Sequence, residues 1–255
     1  MGLPFFCEGR YKQLSISRFI ELEQFYHFYQ PIFDINNGIK IGHEMLLRSD
    51  IYPNPEIPFH LAKKEDQLYE LDSRSIRKAI SSYHTAGLSS EIGILFVNIY
   101  PSSILNPNFP SFINQIVAGN NVESQRLVLE LSESEIIEDM KCLKKQISRL
   151  KKDGFLIALD DIGKGYSCIQ SIIELEADYL KLDRYFAQDL HISKKKQEFI
   201  FHLKKFCENT RSQLILEGVE LEEELEVAKA LGISVAQGYF LGKPALLKRS
   251  FSKTQ

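Results

Sequence analysis

The stretch 29–48, YQPIFDINNGIKIGHEMLLR, decides the fold. It holds two apolar, β-branched or aromatic runs, 29–35 and 41–48, with only Asn36, Asn37, Gly38 and a few neighbours between them. That gap is too short for a crossover helix, and Asn-Gly is a hairpin signal because both residues tolerate positive φ. The spacing therefore predicts a first strand antiparallel to the second. Six further runs follow, at 94–100, 126–133, 155–162, 179–184, 213–220 and 235–240, and most of them end in a polar or charged residue. From the second run onward the intervening stretches have helical periodicity. Ile136, Met140, Leu143, Ile147 and Leu150 share one face before Gly154, and Phe199, Ile200, Leu203 and Phe206 mark a second helix. Eight strands alternating with helices predict an α/β fold, a TIM-like (β/α)8 barrel with its first strand antiparallel, against a doubly wound open sheet as the competing architecture. The segment Pro53, Asn54, Pro55, Glu56, Ile57, Pro58 predicts a loop on the active-site side.

Composition narrows the function classes. Lys and Arg total 31 against 34 Asp and Glu, a net charge of -3, which gives no electrostatic reason to expect DNA or a membrane surface as partner. No apolar run reaches the ~18 residues needed to span a bilayer, and the N-terminal stretch has no signal-peptide pattern. Cys7, Cys142, Cys168 and Cys207 are far apart and form no C-x-x-C pair, so reduced thiols and a cytoplasmic location are expected. The six histidines show no H-E-x-x-H spacing and read as structural. Lys141, Lys144, Lys145, Lys151 and Lys152 read as a solvated helix face, and Glu222, Glu223, Glu224 and Glu226 as the outer face of another.

Barrel chemistry sits at the C-terminal strand ends. The polar residues there are Glu44, Arg48, Asn98, Glu130, Glu133, Asp160, Asp161, Lys181, Asp183, Glu217, Glu220 and Gln237. Period-2 alternation puts Glu44 and Arg48 on one side of their strand, with His43 opposite, and Lys181 with Asp183 on another. Asp160 and Asp161 are adjacent, so both reach one site only if the strand stops there, with Gly163 and Gly165 turning the chain. One acid at a strand end is ordinarily a solvated loop residue; it is the joint register that singles these out. Gathered carboxylates must take up protons or hold a cation. An oxygen-rich set with one amide, Asn98, suits Mg²⁺ or Mn²⁺ better than zinc. Two such ions ~3.5–4 Å apart are the usual device for attacking a phosphodiester.

These residues lie in motifs similar to those of the EAL-domain cyclic di-GMP phosphodiesterases. Glu44-Met45-Leu46-Leu47-Arg48 resembles E-A-L-L-R, Tyr29-Gln30-Pro31-Ile32 resembles Y-Q-P-I, and Val97-Asn98 resembles V-N. Glu130-Leu131-Ser132-Glu133-Ser134 is similar to E-x-T-E-S, and Leu159-Asp160-Asp161 with Gly163 and Gly165-Tyr166-Ser167 to L-D-D-F-G-T-G-Y-S. Lys181-Leu182-Asp183, Glu217-Gly218-Val219-Glu220 and Gln237-Gly238-Tyr239 resemble K-I-D, E-G-V-E and Q-G-Y. The chain departs from the pattern at Ser49, Ser132, Leu221 and, in the loop after the aspartate pair, at Ile162 and Lys164.

The resemblance implies an extension and helix at 1–24, an EAL domain at 25–247 and a tail at 248–255. It implies hydrolysis of cyclic di-GMP to linear pGpG with two Mg²⁺ or Mn²⁺ ions. Glu44, Asn98, Glu130 and Asp160 would hold one ion, and Asp160, Asp161 and Glu217 the other. Lys181 would position the attacking water, and Glu217, assigned as general base in the family, would serve chiefly as a ligand. Gln30, Arg48, Asp183, Glu220 and Gln237 would line and order the substrate site, and Glu133 would anchor the loop after Asp161. A homodimer is implied, with regulation by a separate protein partner open. The alternatives are a silent cyclic di-GMP sensor and a protein-interaction module that has repurposed the fold.

Overall fold

The hairpin at 29–48 forms as its spacing requires. In the computed structural model, which describes residues 14–88, 93–132, 135, 137, 139–164 and 168–247, β1 (Tyr26–Asp34) and β2 (Ile39–Arg48) pair antiparallel with Gln30 opposite Glu44. The turn is closed by Asp34, whose carboxylate accepts from the Asn36 amide and the Asn37 side chain, while Gly38 adopts φ 72°. Then come β3 (Ile94–Ile99), β4 (Leu127–Leu131), β5 (Leu156–Ile162), β6 (Tyr179–Leu182), β7 (Gln213–Leu216) and β8 (Val235–Ala236). The eight close into a barrel in chain order. From β2 to β8 each neighbour is parallel, and β1 is antiparallel to both β2 and β8.

Ten helices are described: α1 (Ile16–Glu21), α2 (Glu56–Lys64), α3 (Leu68–Thr85), α4 (Pro101–Leu105), α5 (Phe109–Gly119), α6 (Met140–Lys152), α7 (Cys168–Glu174), α8 (Arg184–Ala187), α9 (Lys194–Thr210) and α10 (Glu222–Ala230). The large outer core lies between strands and helices. Leu95, Val97 and Ile99 of β3 face it, as do Leu143, Ile147 and Leu150 of α6. The inner core fills the barrel with the alternate residues Ile32, Phe96, Val128, Ala158, Tyr179, Ile215 and Val235. A third cluster, with Phe19, Phe25, Tyr52 and Leu71, seats α1 against the start of β1, the active-site end of a strand that runs backwards.

The structure corrects four details. Pro58 is helical: the chain loops only to Pro55, and α2 begins at Glu56, where a proline in the first turn forfeits no intrahelical hydrogen bond. Several strands are shorter than their apolar runs, and β8 stops at Ala236, two residues before Gly238, whose backbone lies so close to Val219 that an added Cβ would be 2.1 Å from its O. Phe199 is 47% exposed and stacks on Phe186 at 5.0 Å, so only Ile200 of that pair enters the core. Glu224 is buried rather than on an outer face. Its Oε2 accepts from the amides of Glu220 and Leu221 and its Oε1 from that of Asp189, a helix-start cap that also fixes the loop after β7.

Candidate active site

Two residues beyond each apolar inner-core residue, on the same side of the strand, stands a polar one. Phe96 leads to Asn98, Val128 to Glu130, Ala158 to Asp160, Tyr179 to Lys181, Ile215 to Glu217 and Val235 to Gln237; on the reversed β1, Gln30 precedes Ile32. Period-2 alternation thus builds an apolar floor and a polar layer from the same strands.

Lys181 is the centre of that layer and is fully buried. Its Nζ lies 2.6 Å from Glu130 Oε1, 2.8 Å from Glu217 Oε1, 3.0 Å from Asp160 Oδ1 and 3.7 Å from Glu44 Oε2. One ammonium faces four carboxylates. Burial alone would lower the Lys181 pKa, but Asp160, Glu130, Glu217 and Glu44 hold it well above the usual lysine range. Burial drives Glu130 well above the carboxylate range against the pull of Lys181, with Glu44 and Asp160 adding repulsion. Burial also raises Glu217, opposed by Lys181 and assisted by Asp160 and Glu44. The remaining negative charge demands either protons or further cations.

The oxygens are arranged for a cation. Ligand atoms of Glu44, Glu130 and Asp160, all buried, lie within 4.8 Å of one another. Beyond the ion pairs with Lys181, both oxygens of Glu130 and Oδ1 of Asp160 lack a hydrogen-bond partner, an expensive state for buried polar atoms. The neighbouring amides orient Glu44: Asn98 Nδ2 donates to Oε1 at 3.2 Å and Gln237 Nε2 to Oε2 at 2.7 Å. An oxygen-donor set of this kind fits a hard divalent ion.

The other sequence candidates divide. The adjacent aspartates do not need a strand end, because β5 continues to Ile162 and bulges where its register against β6 shifts after Leu159. Asp161 takes φ 55° in that bulge, which re-aims its side chain. Its carboxylate is one-third exposed and pairs with Lys164 at 3.3 Å instead of joining the Lys181 cluster. Burial and Asp160 raise the Asp161 pKa, with Lys164 opposing. Gln30 is buried and donates to Gly242 O at 3.1 Å; Arg48 lies over the Phe28 ring, 5.6 Å from its centroid, and donates to Leu47 O. Asp183 caps α8 through the Tyr185 amide at 2.8 Å, and Glu220 is exposed. His43 faces outward between Tyr29 and Tyr83, as alternation required. Glu133 and Gly165 lie outside the described residues.

Two supporting carboxylates escaped the sequence reading. Asp72 of α3, 2% exposed, accepts from Ser103 Oγ at 2.5 Å and from the Tyr100 amide at 3.2 Å, two residues past Asn98. Glu135 accepts from the Ser102 amide and from Lys63, both at 2.8 Å. The signal for Asp72 was present: an acid between Leu68 and Ile76 at four-residue spacing on the apolar face of a helix.

Comparison with known proteins identifies the family and the fold. A family model described as "EAL domain" matches residues 13–244. The cyclic di-GMP phosphodiesterase PdeA of Borreliella burgdorferi is 29% identical over 233 residues, 90% of this chain and 35% of the relative; PdeF of Escherichia coli is 26% identical over 78% of this chain and 28% of the relative. This chain therefore spans only about a third of the curated relatives' length. Klebsiella pneumoniae BlrP1, solved as a manganese and cyclic di-GMP complex, superposes with TM-score 0.79 at 26% identity, covering 87% of this chain and 56% of that one. The EAL domain of Mycobacterium smegmatis DcpA shares the fold at TM-score 0.74 and 24% identity, covering 87% of this chain and 91% of that one.

Proposed function

The chain belongs to the EAL domain family, and on that premise we propose that it hydrolyses cyclic di-GMP to linear pGpG with two divalent ions, Mg²⁺ or Mn²⁺. The observation that carries this reading is Glu130, whose buried oxygens have no partner beyond the ion pair with Lys181 and whose ligand atom lies within 4.8 Å of those of Glu44 and Asp160. PdeA and PdeF bear the name of that activity, and BlrP1 was solved with manganese and the dinucleotide.

Glu44, Asn98, Glu130 and Asp160 would hold one ion, with Asp160, Asp161 and Glu217 holding the second. Bound there, the ions would lower the pKa of an attacking water and offset the charge of the reacting phosphate. Lys181, 2.8 Å from Glu217, would hold that water in line with one phosphorus. The water oxygen would form the new bond to that phosphorus as the P–O bond to the 3′ oxygen breaks; the proton given up by the water is matched by the one the 3′ oxygen gains, and the opened product keeps its 5′ phosphate. Gln30 and Arg48 would hold phosphate or guanine; Asp183, Glu220 and Gln237 would order the substrate site, and Glu133 would anchor the loop after Asp161. We take residues 25–247 as the catalytic domain, with 248–255 a tail, acting in the cytoplasm as a homodimer. Ile169 and Ile173, one turn apart on α7 and both at least 60% exposed, supply apolar surface for a second copy.

The test is turnover of cyclic di-GMP with added Mn²⁺. Appearance of pGpG, lost in Glu44→Ala and Glu217→Ala, is expected; equal product from those variants would refute the assignment. The Lys164–Asp161 pair favours a second reading, a cyclic di-GMP sensor with a silenced second ion site. Tight metal-dependent binding without turnover would select it.

A further inference from the structure

The positive charges of the site fall into two groups. Lys181 is buried and immobile at the centre of Glu44, Glu130, Asp160 and Glu217. Lys164 lies outside that group, 59% exposed, with its Nζ 3.3 Å from Asp161 Oδ2. Glu56 at the start of α2 and Asp183 at the start of α8 also act on its charge. The turn that carries Lys164 is held firmly: its amide donates to Asp161 O at 3.0 Å. Gly163 takes φ 105°, and a Cβ there would lie 2.4 Å from Phe186 Cε2. The backbone therefore delivers the lysine to Asp161, while its long side chain stays free to swing into solvent.

We infer that Lys164 is a built-in competitor for the outer ion, an exchangeable ammonium on Asp161 that sets the metal concentration at which the second divalent ion enters. This rests on the two-ion reading of the site. The physical case is one of magnitudes. An exposed Lys–Asp pair is worth ~0–1 kcal/mol, so a divalent ion can displace it. Until displaced, it occupies the oxygen the ion needs, and once displaced it still repels the ion from nearby, screened by water. Lys181 cannot play this part, because moving it would leave four buried carboxylates without their only cation among the described residues. The consequence is a site in which the first ion binds to a fixed framework and the second binds only above a threshold, giving a dinucleotide-binding state at low metal and a two-ion state at high metal.

The test is Mn²⁺ titration by calorimetry of the unsubstituted chain and of Lys164→Gln, Lys164→Arg and Lys141→Gln, without nucleotide. Lys141 is an exposed lysine on α6 and controls for net charge. The expected result is a tight and a weak event, with the weak Kd lowered roughly 3- to 5-fold in Lys164→Gln. The tight event should change less than twofold, and Lys164→Arg and Lys141→Gln should match the unsubstituted chain. One event in the unsubstituted chain and two in Lys164→Gln is the same outcome in stronger form. An unchanged or weaker second event in Lys164→Gln, or equal tightening in Lys141→Gln, overturns the inference. Two events with the weak one already insensitive to residue 164 leave the two-ion reading standing; no Mn²⁺ binding by any of the chains removes that reading and this inference with it.

Discussion

The barrel's apolar floor and its polar layer are made by the same strands, two residues apart, yet they solve opposite problems. Ile32, Phe96, Val128, Ala158, Tyr179, Ile215 and Val235 fill space and need nothing further, with Phe96 and Tyr179 meeting edge to face at 5.2 Å. Glu44, Glu130, Asp160 and Lys181 are also buried, but both oxygens of Glu130 and Oδ1 of Asp160 have no partner beyond the ion pairs with Lys181. The floor contributes stability on its own. The layer above it crowds four carboxylates around one ammonium, an arrangement that fits a ligand-holding site better than a folding role.

That contrast can be broken from either side. The largest effect should come from Glu130→Gln, which keeps shape and removes charge: turnover falls more than about 10³-fold while the metal-free chain unfolds no more easily, measured by pGpG formation and urea melts. Phe96→Ala should do the reverse, losing ~3–5 kcal/mol of stability while Mn²⁺ affinity in the folded fraction stays within a few-fold. Next, Lys181→Met should cost the metal-free chain about 3 kcal/mol, because four carboxylates lose their counter-charge, and saturating Mn²⁺ should restore much of it. A pH-dependent effect concerns Asp72, an acid outside the barrel that does have donors. Burial raises its pKa to about 7, with Ser103, Tyr100 and Glu135 modifying it. The folded state therefore binds its proton more readily than the unfolded state does, so Asp72 adds stability as pH falls from ~7 to ~4. Burial lowers His27 to about 3 and His43 to about 4, so these act oppositely and are lost on acidification. Asp72→Asn should steepen the acid loss of stability by up to ~1.4 kcal/mol per pH unit in that window, read from urea melts at each pH.

The fold was legible because the hairpin at 29–48 and the later strand runs carry local signals, turn residues and period-2 alternation. Glu44, Asn98, Glu130, Asp160, Lys181, Glu217 and Gln237 were legible as a set because alternation fixes which residue of each strand faces inward. What escaped depends on non-local geometry. The bulge at Asp161 is a register shift against β6 that one strand's sequence cannot show. Glu224 was hidden among three consecutive glutamates, since only the approach of the Glu220 and Asp189 amides distinguishes a cap from a solvated acid. Asp72 and Glu135 support α4 from separate elements, and nothing in their spacing links them.

The most direct test of the central claim is thermal unfolding with and without Mn²⁺, in the unsubstituted chain and in Glu130→Gln. At an ion concentration ~100-fold above Kd, binding to the folded state alone adds ~2.7 kcal/mol, which corresponds to a Tm rise of roughly 5–10 °C for a chain of this size. That rise is predicted for the unsubstituted chain and should be nearly absent from Glu130→Gln. No rise in the unsubstituted chain, or an equal rise in both, would contradict the account.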